Sequence, residues 1–225
     1  MKTAKTRQER TRDTILDAAA GLFLRNGFLG ANMDEIAAVA DVSKQTVYAH
    51  FHSKEALFLD VVRGLTGVAG DVHQEQVADP VDDRPIADYL QEFAELQLTI
   101  VMTPKLMQLR RLVIGEVERF PELGRALHAL GPQRSITRLS RAFERYRRLG
   151  QIEADDLEAA ASFFNWLVMG APVNDAMLLG DDAILPAAAC RGHAAESVRI
   201  FLAAFGPRAT HPYGGLRGEQ RACCQ

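Results

Sequence analysis

The stretch NMDEIAAVADVSKQTVYAHF, residues 32–51, decides the fold. Asn32 with Glu35 three residues later forms the capping-box pattern that begins a helix, and Ser43 begins a second helix. Only residues 41–43 lie between the two helices, which leaves room for a tight turn. Helices this short are not stable alone, so both must pack on a neighbouring helix. The spacing predicts either a helix-turn-helix that presents its second helix to a DNA groove or a purely structural corner.

Apolar residues recur at helical spacing over almost the whole chain. Asn26 and Gly27 end the first helix as a C-cap, and residues 77–85, VADPVDDRP, form the best candidate for a linker. No segment alternates apolar and polar residues with the two-residue period of a strand, so the predicted fold class is all-α. Further helices are expected at residues 54–69, 86–102, 105–120, 122–130, 132–149, 155–179 and 193–205.

The whole chain carries a formal net charge of −3, yet its first twelve residues are basic. A nucleic-acid function therefore has to rest on local charge rather than on the total. The N-terminal arm fits a segment that follows phosphates, although a solvated, frayed terminus has the same composition. The basic residues of this arm are Lys2, Lys5, Arg7, Arg10 and Arg12.

The composition argues against several classes of protein. The three cysteines, Cys190, Cys223 and Cys224, do not suggest a disulfide framework, and Cys190 with His193 lacks the second ligand pair of a zinc site. No nucleophile-elbow, phosphate-loop or dinucleotide-binding pattern occurs, so we expect no enzyme activity, no cofactor and no metal. The N-terminus has no secretory signal, and the longest nearly apolar run, residues 163–173, is too short to span a membrane. We therefore expect a cytoplasmic protein with no membrane partner.

Residues 27–62, GFLGANMDEIAAVADVSKQTVYAHFHSKEALFLDVV, combine a Gly-aromatic helix end with the patterns V-S-K-x-T-x-Y-x-x-F and S-K-E-x-L-F. This stretch closely resembles the signature of the TetR/AcrR family of bacterial transcription regulators. The resemblance implies an N-terminal three-helix helix-turn-helix DNA-binding domain, followed by a helical ligand-binding and dimerisation domain. Residues 119–143, RFPELGRALHALGPQRSITRLSRAF, resemble the AefR-like class of C-terminal domains, which names an architecture but no ligand.

The resemblance implies that the second helix of the motif reads double-stranded operator DNA. At its exposed start, Gln45 suits an adenine edge and Lys44 a guanine. Thr46 and Tyr48 carry hydroxyls suited to phosphate, although Tyr48 is also consistent with a packed aromatic. Asp41 and Gln45 stand where the family usually has glycine; Asp tolerates the left-handed turn, and Gln45 is expected to alter which operator is read. The expected DNA-contacting residues are Arg7, Ser43, Lys44, Gln45, Thr46, Tyr48, His50 and Lys54.

The expected domain boundaries follow from the motif and from composition. Residues 1–54 form the helix-turn-helix DNA-binding domain with its basic N-terminal arm, and residues 55–206 form the helical effector-binding and dimerisation domain. Residues 207–225 contain glycine, proline and polar residues with little to bury, which predicts a disordered tail.

A small, mostly apolar effector is expected to bind in the C-terminal domain. Gln97 falls on the apolar row of its helix, and a buried amide there either orients a ligand or bonds a neighbouring helix. Residues 163–173 are apolar around the whole helix and must be covered on all sides. Ordinary core packing is the competing interpretation of each candidate. The candidate effector-binding residues are Phe93, Gln97, Met102, Met107, Asn165, Trp166 and Met169.

The family resemblance also implies a homodimer held by the last two long helices, at about residues 155–179 and 193–205. Three alternatives stay open: a regulator controlled by a protein partner without an effector, an activator instead of a repressor, and an enzyme or carrier that kept the pocket and lost DNA binding.

A row of arginines lies on the helix at residues 132–149. The row fits an acidic partner, a second DNA segment, or a solvated face paired with nearby Glu144, Glu153, Asp155 and Asp156. Its members are Arg134, Arg138, Arg141, Arg145 and Arg148.

Overall fold

The computed structural model describes residues 6–80 and 83–207, and within them it contains ten α-helices, one short 3-10 turn at Asp181–Ala183 and no strand. The all-α expectation is therefore confirmed for this part of the chain. Lys2, Lys5, Cys223, Cys224 and the expected tail beyond residue 207 lie outside the described residues. The helices are α1 (Arg7–Gly30), α2 (Met33–Val39), α3 (Lys44–Phe51), α4 (Lys54–Gln76), α5 (Ile86–Val101), α6 (Pro104–Glu116), α7 (Pro121–Leu130), α8 (Pro132–Arg148), α9 (Leu157–Leu179) and α10 (Ala187–Phe205).

The N-terminal core is built by α1 to α4 and receives side chains from α6 and α7. Phe23 of α1 and Phe58 of α4 are fully buried, with their ring centroids 4.8 Å apart. Leu109 of α6 and Leu123 of α7 are buried in the same cluster. The core of this unit therefore extends past the predicted domain boundary at residue 54, because α2 and α3 are too short to bury it alone.

The C-terminal core lies between α5, α8, α9 and α10. α8 packs along α9, and α5 packs against α10. Phe201 of α10 contacts aromatic rings of two other helices there, with centroids 5.1 Å from Phe164 of α9 and 5.4 Å from Phe143 of α8. No helix among the described residues is long and apolar enough to cross a bilayer.

The three largest differences from the predicted helix ends each have a tertiary or a proline effect as their cause. α4 continues to Gln76 instead of ending near residue 69, because His73 near its end is buried against α5. α6 ends at Glu116 rather than at residue 120, since Pro121 begins α7 and disfavours helical backbone at the residue before it. α10 begins at Ala187 rather than at residue 193, because Cys190 in its first turn is buried in the C-terminal core.

Candidate nucleic-acid interface and interior cavity

The local sequence builds a helix-turn-helix from α2 and α3. Asn32 Oδ1 accepts a 2.8 Å hydrogen bond from the Glu35 backbone N–H, and Ser43 Oγ accepts one of 3.1 Å from the Thr46 N–H. These caps satisfy backbone donors that the first turn of a helix leaves free. Asp41 has a φ of 51°, so it adopts the left-handed conformation that glycine supplies more readily. The turn between the two helices therefore forms without the usual glycine.

α3 has one buried face and one that projects from the protein. Val47 and Phe51 are 0% and 2% exposed and anchor the helix in the N-terminal core. Gln45 is exposed in the first turn of α3, and its side chain makes no hydrogen bond to any described residue. Tyr48 keeps 41% of its surface exposed, which removes the interpretation of a core aromatic. The first turn of α3 thus offers polar side chains to a partner while its second turn holds the helix in place.

Two other predicted contact residues of α3 already have partners in the protein. Lys44 is exposed, and its Nζ lies 2.9 Å from a carboxylate oxygen of Asp34; this hydrogen bond raises the pKa of Lys44. The hydroxyls of Thr46 and Ser43 lie 2.8 Å apart, and Thr46 is half-buried. His50 is also half-buried, in the last turn of α3.

The described part of the basic arm forms the start of α1. Arg7 and Arg10 are exposed there. Arg12 is different, because its Nη2 lies 2.6 Å from Asp60 Oδ2 and its guanidinium lies 5.0 Å from the centroid of the Phe51 ring. Arg12 therefore joins α1 to α3 and α4, while Arg7 and Arg10 keep their charges at the surface.

The structure gives Lys54 contacts within the protein that the sequence did not indicate. Its ammonium donates hydrogen bonds of 2.8 Å to the Phe28 carbonyl and 3.0 Å to the Ala31 carbonyl, and it lies 4.5 Å from the centroid of the Phe28 ring. The charge is thus directed at carbonyls where α1 ends, and the expected DNA contact of Lys54 stays a prediction. The sequence placed Lys54 correctly at the start of a helix, but could not indicate that the end of α1 would lie within its reach.

An interior cavity lies where α4 to α9 meet. It offers about 90 Å³ to the centres of water molecules, and an adjoining outer cavity offers about 200 Å³. Four of the predicted effector residues line the inner cavity, namely Gln97, Asn165, Trp166 and Met169. The two cavities share the residues Arg110, Leu127, Pro132 and Trp166.

The other three predicted effector residues do not line either cavity. Phe93, Met102 and Met107 are 0%, 5% and 0% exposed and lie in the packed C-terminal core. The ring of Phe93 packs against that of His73, with centroids 4.4 Å apart. Helical spacing correctly put Phe93 and Gln97 on one row. The packing of α4 against α5 decides that Phe93 is covered by His73 while Gln97 lines the cavity.

Three polar groups of the inner cavity lack a hydrogen-bond partner among the described residues. Gln97 Nε2 donates a 2.9 Å hydrogen bond to Asn165 Oδ1, which leaves Gln97 Oε1 and Asn165 Nδ2 unsatisfied. The hydroxyl of Thr66 is unsatisfied as well. All three residues are at least nine-tenths buried, since they are 6%, 0% and 7% exposed. Buried polar groups in folded proteins are normally hydrogen-bonded, so these atoms mark a place for a ligand or for water.

The arginine row on α8 pairs with segments that the sequence did not indicate. Three of its members form ion pairs with α4 or with the linker. These pairs join Arg134 to Asp71 at 2.7 Å, Arg138 to Asp79 at 2.9 Å and Arg145 to Asp83 at 2.9 Å. Arg138 is buried and Arg134 half-buried, and both line the inner cavity, so this part of the row is not a solvated face.

His73 is held in its neutral form beside Arg138. Arg138 Nη1 lies 2.9 Å from His73 Nδ1, and a guanidinium can only donate, so this nitrogen accepts. The other ring nitrogen then donates to the Phe93 carbonyl, 3.0 Å away. Burial lowers the pKa of His73 to about 4, against the smaller opposing effect of the Phe93 bond, and the charge of Arg138 lowers it further.

Comparison with known proteins agrees with this geometry. Residues 15–61 match the bacterial regulatory proteins of the tetR family, and residues 88–207 match the C-terminal domain of AefR-like transcriptional repressors. The chain belongs to the TetR family. Its two matched segments correspond to the helix-turn-helix unit and to the C-terminal helices, and the predicted AefR-like class is confirmed.

Solved structures of TetR-family regulators resemble this chain over most of its length. A TetR-family transcriptional regulator from Mesorhizobium loti is 34% identical, with a TM-score of 0.84 over 90% of this chain and 100% of that one. The flavonoid-responsive regulator FrrA is 33% identical, with a TM-score of 0.72 over 89% of this chain and 100% of that one. The transcriptional repressor NicS of Pseudomonas putida is 39% identical over 70 residues, which are 29% of this chain and 33% of NicS. The chain thus spans about a third of the length of that curated relative.

Sequence reasoning missed several residues that line the cavity of this TetR-family chain. Thr66, His73, Arg110 and Arg138 belong to helices whose contacts with α5 and α9 were not predicted. One signal was available for Arg110, because it follows Leu109 directly and lies three residues before Val113, both of which are core residues. A charged residue that close to an apolar row is a candidate for a half-buried site.

Proposed function

We propose that this chain is a homodimeric transcriptional repressor that binds a palindromic operator through α3 and leaves it when a small effector occupies the interior cavity. The proposal locates the protein in the bacterial cytoplasm, where operator DNA is, and gives it no catalytic step. The observation that carries it is the first turn of α3, where Gln45 projects without a partner from a helix anchored by Val47 and Phe51. A glutamine amide in that position suits the paired donor and acceptor of an adenine edge in the major groove.

An exposed apolar surface on α9 and α10 supports the dimer. Phe163 is 60% exposed and its ring lies 6.3 Å from that of Phe205, while Ile200 of α10 is 41% exposed. Contiguous apolar surface of this kind commonly marks a protein interface. A two-fold dimer would present two α3 helices to DNA, which requires an operator with matching two-fold symmetry.

The position of the cavity supports control by an effector. Leu109 of α6 lines the inner cavity and at the same time belongs to the core of the N-terminal unit. Thr66 and Gly70 of α4 line the cavity too, while the other end of α4 packs on α1. A ligand that favours a different packing of α4 and α6 would therefore change the separation of the two α3 helices in a dimer.

The printed names of relatives support repression and leave one competing candidate. NicS and SCO4008 of Streptomyces coelicolor are described as transcriptional repressors. FasR of Mycolicibacterium smegmatis, 47% identical over 57 residues, is described as a transcriptional activator. The position of the operator relative to the promoter separates these roles, since a site that overlaps the promoter represses and an upstream site is compatible with activation.

The experiment that tests the proposal is selection of binding sites from random duplex DNA with the purified chain, at one stated moderate salt concentration. We expect recovery of an inverted repeat whose half-sites are about 34 Å, one helical turn, or a multiple of it apart. A scrambled duplex of the same length is the matched control, because phosphate contacts alone bind any sequence. Enrichment of nothing above the scrambled control would contradict the proposal.

A further inference from the structure

Arg110 differs from the other arginines of the cavity because no acidic residue in the described part of the chain pairs with its side chain. Arg134 and Arg138 have carboxylate partners, Asp71 and Asp79. Arg110 lines both the inner and the outer cavity, and its guanidinium makes no hydrogen bond or ion pair with any described residue. Burial lowers the pKa of its guanidinium, as expected for a cation that has lost water without gaining a partner.

The surroundings of Arg110 favour an anion. No aspartate or glutamate belongs to the described lining of either cavity. A guanidinium in an apolar site is costly unless an anion with matching hydrogen-bond geometry pairs with it. A carboxylate matches best, because it accepts two parallel N–H bonds from one guanidinium.

The inner cavity adds hydrogen-bonding groups whose chemistry does not depend on how the amides are oriented. In the observed arrangement Gln97 Oε1 is a free acceptor and Asn165 Nδ2 is a free donor. If both amides were flipped, Gln97 would keep a free donor and Asn165 a free acceptor. In either orientation the pair offers one donor and one acceptor to a ligand, alongside the hydroxyl of Thr66.

The outer cavity suits an apolar body. Its side chains include Val113, Ile114, Val117 and Leu127, with the Trp166 ring at the wall that it shares with the inner cavity. It offers about 200 Å³, and a cavity of about 150 Å³ is enough to hold benzene. One aromatic ring or a short acyl chain therefore fits there, next to Arg110.

We propose that the effector of this chain is a small organic acid, whose aromatic or acyl body lies in the outer cavity and whose carboxylate pairs with Arg110. The inference rests on the proposed function, because it names the chemical class of the effector for the same cavity. Hydroxyl or carbonyl groups on the acid would bind the Gln97 and Asn165 amides.

The test uses the intrinsic fluorescence of Trp166, the only tryptophan of the chain, which lines both cavities. Three carboxylates, 3-phenylpropanoate, phenylacetate and hexanoate, are titrated into the full-length protein, each beside its uncharged primary amide. We expect at least one acid to bind about tenfold or more tightly than its amide, since a hydrogen bond to a charged group commonly contributes that much. Arg110→Met should remove the preference for the acid and leave the binding of the amide unchanged.

Two controls separate pairing with Arg110 from a general effect of charge or folding. Lys105→Met removes an exposed cation from the same helix and should leave the preference intact. Thermal unfolding of ligand-free Arg110→Met should show a Tm equal to or about 2–4 °C above that of the original protein, because an unpaired, partly buried cation has been removed. A lower Tm would mean that Arg110 already has a partner, such as a carboxylate of a second subunit, and would overturn the inference.

The inference is also overturned if every amide binds as well as its acid, or if no acid binds below about 1 mM. These outcomes are distinct from failure of the proposed function, because the fluorescence titration contains no DNA. An operator recovered by selection together with no preference for acids would leave the repressor proposal standing. If the preference for acids depends on Arg110 but the acids do not release DNA, the binding site is supported. Its role in controlling DNA binding is then contradicted.

Discussion

Gln97 of α5 and Asn165 of α9 are joined by a 2.9 Å hydrogen bond across the interior of the C-terminal unit, and each keeps one unsatisfied polar atom. The bond is made by two side chains that are 6% and 0% exposed. It links α5 to α9, and both side chains line the inner cavity.

Substitutions of Gln97 and Asn165 are expected to have non-additive effects on the free energy of unfolding. Asn165→Leu alone should lower the free energy of unfolding by about 1–3 kcal/mol, because it leaves the Gln97 amide buried without a partner. The double variant Gln97→Leu with Asn165→Leu should recover most of that loss, since both polar groups are then gone. Urea denaturation of the two single variants and the double variant measures the coupling; simple additivity would contradict it.

His73 predicts a pH dependence of stability. Its pKa in the folded state is lowered to about 4 from an ordinary value of 6.5, so between these values the unfolded chain binds more protons than the folded one. The free energy of unfolding should therefore fall as the pH drops from about 6.5 to 4, by about 3 kcal/mol from this residue. His73→Gln should flatten the profile in this window, whereas His128→Gln, at an exposed position, should not. An unchanged slope in His73→Gln would refute the assignment.

Two glycines predict opposite responses to the same substitution. Gly27 has φ 73° and ψ 174°, a conformation that side chains rarely adopt, so Gly27→Ala should lower the free energy of unfolding by about 1–3 kcal/mol. Gly64 lies in the exposed middle of α4 with open space around it, and Gly64→Ala should raise that free energy by up to about 1 kcal/mol. Thermal unfolding measures both, and effects of the same sign would be inconsistent with this backbone.

Substitutions of Lys54 and Gln45 are expected to have different effects, the first on thermal stability and the second on DNA sequence preference. Lys54→Met leaves the Phe28 and Ala31 carbonyls without their donor and should lower the Tm, with a loss of about 1–3 kcal/mol. Gln45→Ala, at an exposed position, should leave the Tm unchanged and alter the base preference in binding-site selection. Equal stability of Lys54→Met and the original protein would contradict this structural role of Lys54.

The exposed apolar surface of α9 predicts the effect of a charge on assembly. Phe163→Glu places a carboxylate on a side chain that is 60% exposed, within the proposed dimer interface, and should shift the chain toward monomer. Val68→Glu makes the same change on α4, at a side chain that is 61% exposed, and should leave the mass unchanged. Analytical ultracentrifugation at several concentrations measures both. A dimer that persists in Phe163→Glu would place the interface elsewhere.

Local sequence predicted the elements of the DNA-binding unit because the signals there are short-range. Asn32 and Ser43 cap α2 and α3 as expected, and Asp41 takes the left-handed turn. These features depend on contacts within three or four residues, which a sequence displays directly. The DNA contacts of Arg7, Ser43, Lys44, Gln45, Thr46, Tyr48, His50 and Lys54 remain predictions.

The cavity was only partly predictable, since its lining comes from six successive helices, from Thr66 of α4 to Val173 of α9. Sequence reasoning found Gln97, Asn165, Trp166 and Met169, but it also selected Phe93, Met102 and Met107, which are packed in the core. A helical row states which residues share a face. It does not state which neighbouring helix covers that face or where two helices separate enough to leave a void.

The sequence by itself determined the all-α class, the capped helix-turn-helix and the family, because caps, turns and apolar periodicity are properties of neighbouring residues. Tertiary structure alone decided what the charged side chains do. It turned Lys54 toward the carbonyls of α1, paired Arg138 with Asp79, and left Arg110 without an acidic partner at the wall between two cavities. The physical reason is that the energy of a buried charge depends on the groups within a few ångströms of it, and long-range packing selects those groups.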